Sequence, residues 1–248
     1  MAIPLEHAEA GAIKAAGRVL QRLEKEYREY KITQPERAAE YFLSLVPAQL
    51  ARWKSGSIVE TSDCIEEPNA MKYLRHPRGH VHKFARFLPF MADATRIFEI
   101  GVGPGFMFRL LMDVYDADMH GCDLDPNKNV IFRELRRELK IDDRVQEHRV
   151  APQQEIPIPP ETEALVSFWT VFNFKWGISD HRWFLDFCSE RLSGEKKVVL
   201  LFNSKGFDDK PEVKRLYHQL GTFPLRDPGK PVTSDYTVED AFCILHLG

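Results

Sequence analysis

Cysteine is scarce: Cys64, Cys122, Cys188 and Cys243 are the only four in 248 residues. None falls in a C-x-x-C pair, so neither a zinc ribbon nor a disulfide framework is signalled. Reduced thiols in the cytoplasm are the simplest expectation. Long apolar runs are missing as well. No segment approaches the ~18 apolar residues of a membrane span. The start, Met1-Ala-Ile-Pro-Leu-Glu-His7, lacks the basic opening and apolar stretch of a signal peptide. There is no excess of positive charge either. The 34 Lys and Arg stand against 37 Asp and Glu, a net charge of -3, which argues against a dedicated nucleic-acid binder while leaving room for a local basic patch. Internal repeats and low-complexity tracts are absent, and no feature specifies an oligomeric state.

What is present is ordinary for a globular protein, with 44% hydrophobic and 29% charged residues. Residues up to about Trp53 read as helical, with Val19, Leu23, Tyr27 and Tyr30 at helical spacing. Ser55-Gly56-Ser57 is a break, and Asp63 to Asn69 a loop. Val81, Phe84, Ala85, Leu88 and Met91 mark a helix with one apolar face. Helix and strand then alternate. Strands are expected at Arg96–Ile100, Met119–Asp123, Val145–Val150, Ala164–Trp169 and Lys197–Asn203. Helices are expected at Phe106–Tyr115, from Pro126 to about Leu139, at Asp180–Leu192 and at Pro211–Leu220. Thr222–Leu225 and Phe242–Leu247 have no helix between them and are expected to pair as a hairpin. The alternation predicts an α/β fold, a doubly wound, mostly parallel sheet with helices on both faces. It divides the chain into a helical extension or cap over 1–80 and a sheet domain over 81–248.

The chemistry concentrates in Arg96-Ile-Phe-Glu-Ile-Gly-Val-Gly-Pro-Gly105, answered about twenty residues later by His120-Gly-Cys-Asp-Leu-Asp125. An apolar strand, an acid, a glycine turn and a helix lead to a second strand ending in another acid. That is how a chain holds a nucleoside-bearing cofactor at the carboxyl end of a parallel sheet. The glycines fall at 101, 103 and 105. A dinucleotide fingerprint needs glycine at 106, where this chain has Phe106. A large side chain there would impair close helix–strand packing and approach of a pyrophosphate, so the cofactor should lack one.

E-x-G-x-G-x-G followed by an acid at the end of the next strand resembles the class I S-adenosyl-L-methionine-dependent methyltransferases, a Rossmann-like family. The resemblance covers roughly residues 80–248. It is strongest at Phe98–Gly105 and Gly121–Asp125, and weaker at Ala164–Trp169 and Glu190–Leu201. It implies a seven-stranded sheet in the order 3-2-1-4-5-7-6 with strand 7 antiparallel. It also implies roles. Gly101, Gly103 and Gly105 would let the backbone pass the methionine portion of the cofactor, with Glu99 near its ammonium group. Asp123 would accept both ribose hydroxyls and Leu124 would lie against the adenine. Phe168 and Trp169, closing the fourth strand, would wall the site. One departure stands out. Many members carry an adenine-binding acid after strand three, and here Val150-Ala-Pro-Gln-Gln-Glu155 has none at that place. Gln153, Gln154 or a backbone carbonyl is left to replace it.

On the substrate side, Phe168-Trp-Thr-Val-Phe-Asn-Phe-Lys-Trp176 lacks the Asn/Asp-Pro-Pro-aromatic motif of nucleobase amino-methyltransferases. Phe172 and Phe174 read equally as pocket wall or core. Residues 72–86 carry five Lys/Arg and three His with no acid. Within them Arg75, His76, Arg78 and His80 suit an anionic group, and a solvated basic helix face is the plainer reading. His80-x-His82 has no Cys, Asp or Glu partner at ligand spacing, so no metal site is expected. Methyl transfer asks the protein mainly to position the nucleophile and exclude water. A hydroxyl nucleophile benefits from a base, for which His76, His80, His82 and His181 are candidates. Asn203, ending strand five, is a candidate for holding substrate.

The expectation is a cytoplasmic S-adenosyl-L-methionine-dependent methyltransferase acting on a small-molecule acceptor, at oxygen rather than nitrogen. The helical N-terminus would cover the substrate. The alternatives are an RNA or protein methyltransferase docking through 72–86, and a non-catalytic cofactor-binding or partner-binding protein on the same fold.

Overall fold

The computed structural model describes residues 1–33, 73–124, 130–168, 176–202, 209–225 and 242–248. Its helices are α1 (Leu5–Thr33), α2 (Pro77–Ala85), α3 (Phe106–Tyr115), α4 (Val130–Glu138), α5 (Ile178–Arg191) and α6 (Pro211–Leu220). Its strands are β1 (Arg96–Ile100), β2 (Asp118–Asp123), β3 (Val145–Glu147), β4 (Ala164–Phe168), β5 (Lys197–Leu201) and β6 (Phe242–His246). The sheet runs β3-β2-β1-β4-β5-β6. β1 pairs in parallel with β2 and β4, β4 in parallel with β5, and β5 antiparallel with β6. This is the doubly wound, mostly parallel α/β architecture expected from the alternation.

Six strands are formed among the described residues, not seven. The segment read as a strand at Thr222–Leu225 contributes one antiparallel bridge, Thr222 to Ile244. Pro224 follows two residues later. It has no N–H to give to a ladder, which stops pairing at once. The antiparallel last strand is β6.

Two compact units can be distinguished. The first comprises 1–93, 102–117 and 123–147. Its long helix α1 buries Ala8, Ala12, Ala15, Ala16, Val19 and Leu23, a stripe at helical spacing in which small residues let neighbours approach closely. α1 lies against α2, α3 and α4. Pro77 opens α2, pre-set for a first helical turn. Val81 and Phe84 form the buried side of α2, and a short 3-10 turn, Leu88–Met91, continues it with Leu88 and Met91 inward. Arg109 donates to both carboxylate oxygens of Asp113 and to the Leu139 carbonyl at 2.9 Å, tying α3 to the end of α4.

The second unit comprises 94–101, 118–122 and 148–248. Every residue of β4 and β5 is buried. That is why their sequences, Ala-Leu-Val-Ser-Phe and Lys-Val-Val-Leu-Leu, read as near-continuous apolar runs without alternation. Glu163 accepts bonds from the Thr95 amide (2.7 Å), the Thr95 hydroxyl (2.9 Å) and the Arg96 amide (3.3 Å), fixing the entry to β1. Those donors, the Thr95 amide first, hold its carboxyl below the usual range. Cys122, Cys188 and Cys243 are free and buried. Burial pushes the thiols of Cys188 and Cys243 strongly up, which keeps them protonated and inert.

Candidate functional site

The glycine turn forms as the spacing required. Gly101, Gly103 and Gly105 all have positive φ, at 76°, 54° and 81°, a region L side chains avoid. Gly105 is held by more than its dihedral. A Cβ there would overlap the Ile141 side chain and sit 3.4 Å from Cγ of Arg136. This glycine lets α4 and the segment after it close onto the turn.

In the first unit, Asp123 is buried, with a relative exposure of 8%. Its Oδ2 accepts the Gly103 amide at 2.9 Å and its Oδ1 accepts the Leu124 amide at 2.8 Å. The acid at the end of the second strand is therefore bonded directly to the glycine turn, an arrangement the two motifs alone did not state. Beneath both lies Arg136, fully buried. Its Nη1 donates to the Gly103 carbonyl at 2.8 Å and to Asp123 Oδ2 at 3.4 Å, and its Nε donates to Asp142 Oδ1 at 3.2 Å. A buried guanidinium is stable only when its donors are matched in this way. Sequence reasoning missed Arg136. The available signal was its position: Ile131, Phe132 and Leu135 are buried around it on α4, with Leu139 buried just after the helix, and an arginine on an apolar helical stripe must have a partner.

The same unit holds the basic segment. Arg75, His76 and Arg78 are exposed. His80 is half-buried, its ring centroid 4.2 Å from that of Tyr73. Tyr73 in turn lies 6.2 Å from Phe106 and 5.8 Å from Phe132, centroid to centroid. Burial pushes the Tyr73 phenol up. The residue that takes the place of a third-step glycine, Phe106, thus opens α3 fully covered and in an aromatic cluster with the basic segment. His82 faces Glu9 of α1 at 3.3 Å.

In the second unit, Glu99 is buried at 3% exposure and the Gly101 amide donates to the Cys122 carbonyl at 2.8 Å. Phe168 is buried and packs against Phe242. His181 is fully buried in α5 and shares a hydrogen bond of 3.0 Å with the Tyr217 hydroxyl. Trp176 packs edge-on to it. Burial, with Lys210 adding to it and Asp180 opposing, lowers the His181 imidazole to about 4. The ring is neutral at physiological pH. Trp169, Phe172, Phe174 and Asn203 lie outside the described residues. Gln153 and Gln154 are exposed, Gln153 at φ 60°. Among the described residues no three His, Cys, Asp or Glu gather into a group that could hold a metal ion, and no helix is long and apolar enough to cross a membrane.

No family model matches the sequence, and no curated protein does. Several solved structures are similar in fold. DesVI from Streptomyces venezuelae is 12% identical, over 56% of this chain and 58% of that one, with a TM-score of 0.44. The SAM-bound amino pentose methyltransferase CalS10 from Micromonospora echinaspora is 17% identical, over 58% and 59%, at 0.40. The mitomycin 7-O-methyltransferase MmcR is 15% identical, over 56% and 41%, at 0.40. The chain spans less than two thirds of the length of each of these three. Likeness at this level carries no argument about activity, and the functional reading rests on the residues described above.

Proposed function

We propose that the chain is an S-adenosyl-L-methionine-dependent methyltransferase of the cytoplasm, acting on a small-molecule acceptor at oxygen rather than nitrogen. One observation carries the reading: a buried aspartate at the end of the second strand, hydrogen-bonded to the amide of a left-handed glycine turn. A carboxylate fixed there suits the vicinal hydroxyls of a ribose. The covered Phe106 at the start of α3 suits a cofactor without pyrophosphate. The donor set therefore fits S-adenosyl-L-methionine. Asp123 would take the ribose, Leu124 the adenine, and Glu99, Gly101, Gly103 and Gly105 the amino-acid end, with Phe168 and Trp169 as walls.

When bound, the cofactor supplies an activated methyl carbon. The protein's tasks are to orient the acceptor and exclude water. In this reading residues 1–80 cover the acceptor and 81–248 carry the site. His80, its ring tilted against that of Tyr73, which in turn lies beside Phe106, is the candidate for taking a proton from an acceptor hydroxyl. His76 is exposed, and the neutral ring of His181 is enclosed in the second unit.

Titration calorimetry with S-adenosyl-L-methionine and its demethylated product tests the reading. Asp123→Asn keeps the size of the side chain and removes its charge. Losing charge-assisted bonds to ribose should weaken binding about 10–100-fold, with the thermal transition still cooperative. Wild-type affinity in that variant refutes the ribose assignment, and failure of the unaltered protein to bind either ligand at millimolar concentration removes the enzyme reading. A second reading is favoured by the exposed Arg75, His76 and Arg78: an RNA methyltransferase docking through this segment. It requires RNA binding with a steep salt dependence, and no binding at low salt rules it out.

A further inference from the structure

The Arg136 cluster has a form that packing alone does not require. Gly103 donates its amide to Asp123 Oδ2 and offers its carbonyl to Arg136 Nη1, while the same Nη1 also reaches Asp123 Oδ2. Turn, acid and guanidinium close a ring of three hydrogen bonds. Asp142, just after α4, holds the other edge of the guanidinium and is partly exposed. The left-handed Gly105 keeps the turn clear of the Ile141 side chain, which a Cβ there would overlap. Taking a guanidinium fully out of water is costly, and apolar residues replacing the arginine together with its charged partners often make no less stable a core. Two of the guanidinium's bonds and the turn amide converge on Asp123 and Gly103: Oδ2 takes the Gly103 amide and Arg136 Nη1, while Oδ1 takes the Leu124 amide.

We propose that Arg136 is a positioning residue for cofactor recognition: it fixes the rotamer of Asp123 and the path of the glycine turn so that the carboxylate is held in the orientation that meets the ribose hydroxyls. The inference rests on the nucleoside-cofactor reading above. Lysine cannot substitute for it, because a point charge cannot serve the Gly103 carbonyl, Asp123 and Asp142 from a planar fork. Positioning by Arg136 separates from plain structural support in what it predicts. A structural role weakens every ligand alike, whereas positioning weakens specifically the contribution of the ribose hydroxyls.

The test compares binding of S-adenosylhomocysteine with that of its analogue lacking both ribose hydroxyls, in the full-length protein. The unaltered protein should prefer the hydroxylated ligand about 100-fold, as two hydrogen bonds to a charged acceptor imply. In Arg136→Lys the preference should fall below about 10-fold, with affinity for the dihydroxy-lacking analogue nearly unchanged. Asp142→Asn loosens the guanidinium without leaving the buried site empty. It should give an intermediate preference, and it decides the matter if Arg136→Lys does not fold. A full preference retained in Asp142→Asn, or a parallel loss for both ligands in either variant, overturns the positioning role. If the unaltered protein binds S-adenosylhomocysteine but shows no preference, the ribose assignment of Asp123 fails together with this inference. If it binds neither ligand, the cofactor reading fails and the inference falls with it.

Discussion

The two units each bury a polar side chain completely, and they do so by opposite means. In the first, Arg136 is buried as a cation and matched by Asp123, Asp142 and the Gly103 carbonyl. In the second, His181 is buried as a neutral ring and matched by the Tyr217 hydroxyl among Trp176 and Phe184. An arginine cannot shed its proton to escape burial, so only partners can accommodate it. A histidine can, and its imidazole is lowered to about 4. The first arrangement is indifferent to pH near neutrality and intolerant of losing a partner. The second is sensitive to acid. A carboxylate that must stay charged and fixed for a ligand belongs in the first kind of setting.

The sharpest way to break this contrast is Arg136→Met. Removing one member of a buried ion pair typically costs about 3–5 kcal/mol. For a chain of this size that corresponds to a fall of roughly 10 °C in the thermal midpoint. Calorimetric or circular-dichroism melts at neutral pH measure it, and the loss should be nearly the same at pH 6 and pH 8. A cost under about 1 kcal/mol would place this cluster with ordinary core packing, contrary to what a buried, matched charge implies.

The histidine side is tested by acid. Its folded value is below the unfolded value of about 6.5, so the unfolded chain binds the proton more readily. The stabilising contribution is complete above pH 6.5 and is lost as pH falls toward about 4. Integrated over that window, the loss is about 3 kcal/mol. Other groups titrate in the same range, so the measurement is a difference. Denaturant unfolding of the unaltered protein and of His181→Phe, at pH 7 and pH 4.5, should show a clearly shallower acid slope in the variant. Equal slopes would mean that His181 is not the group that responds.

How legible this was depended on whether a feature is local. The glycine turn, the acids Glu99 and Asp123 and the α–β alternation are local patterns, and β1, β2, β4, β5, α3 and α6 form close to where the periodicity put them. The strand expected at Thr222–Leu225 is a single bridge, because one proline outweighs the β-forming residues around it. Arg136 was invisible to motif reading because its partners are spread over Gly103, Asp123 and Asp142, and only the folded chain brings them together. The alanine stripe of α1 was also passed over. Val19 and Leu23 marked the helix, but Ala8, Ala12, Ala15 and Ala16 carry little hydrophobic signal while deciding how closely α1 can approach its neighbours.

That stripe leads to the smallest effect. α1 also reaches α4 by charge: Arg18 meets Glu138 at 2.9 Å, and Arg22 meets Glu134 at 2.6 Å and Glu138 at 3.5 Å. These ion pairs invite the view that they hold α1 in place. Their exposure argues otherwise. The Arg22 side chain is 37% exposed and Glu134 20%, so water and salt screen most of the attraction, and such pairs are worth about 0.2–1 kcal/mol. The buried alanine and valine face supplies the docking, and the arginines fix its register. Arg22→Ala should therefore cost less than about 1 kcal/mol, and the difference from the unaltered protein should shrink further in 1 M salt, where screening acts over about 3 Å. A cost comparable to that of Arg136→Met would show that exposed pairs anchor α1 as firmly as the buried cluster anchors the turn.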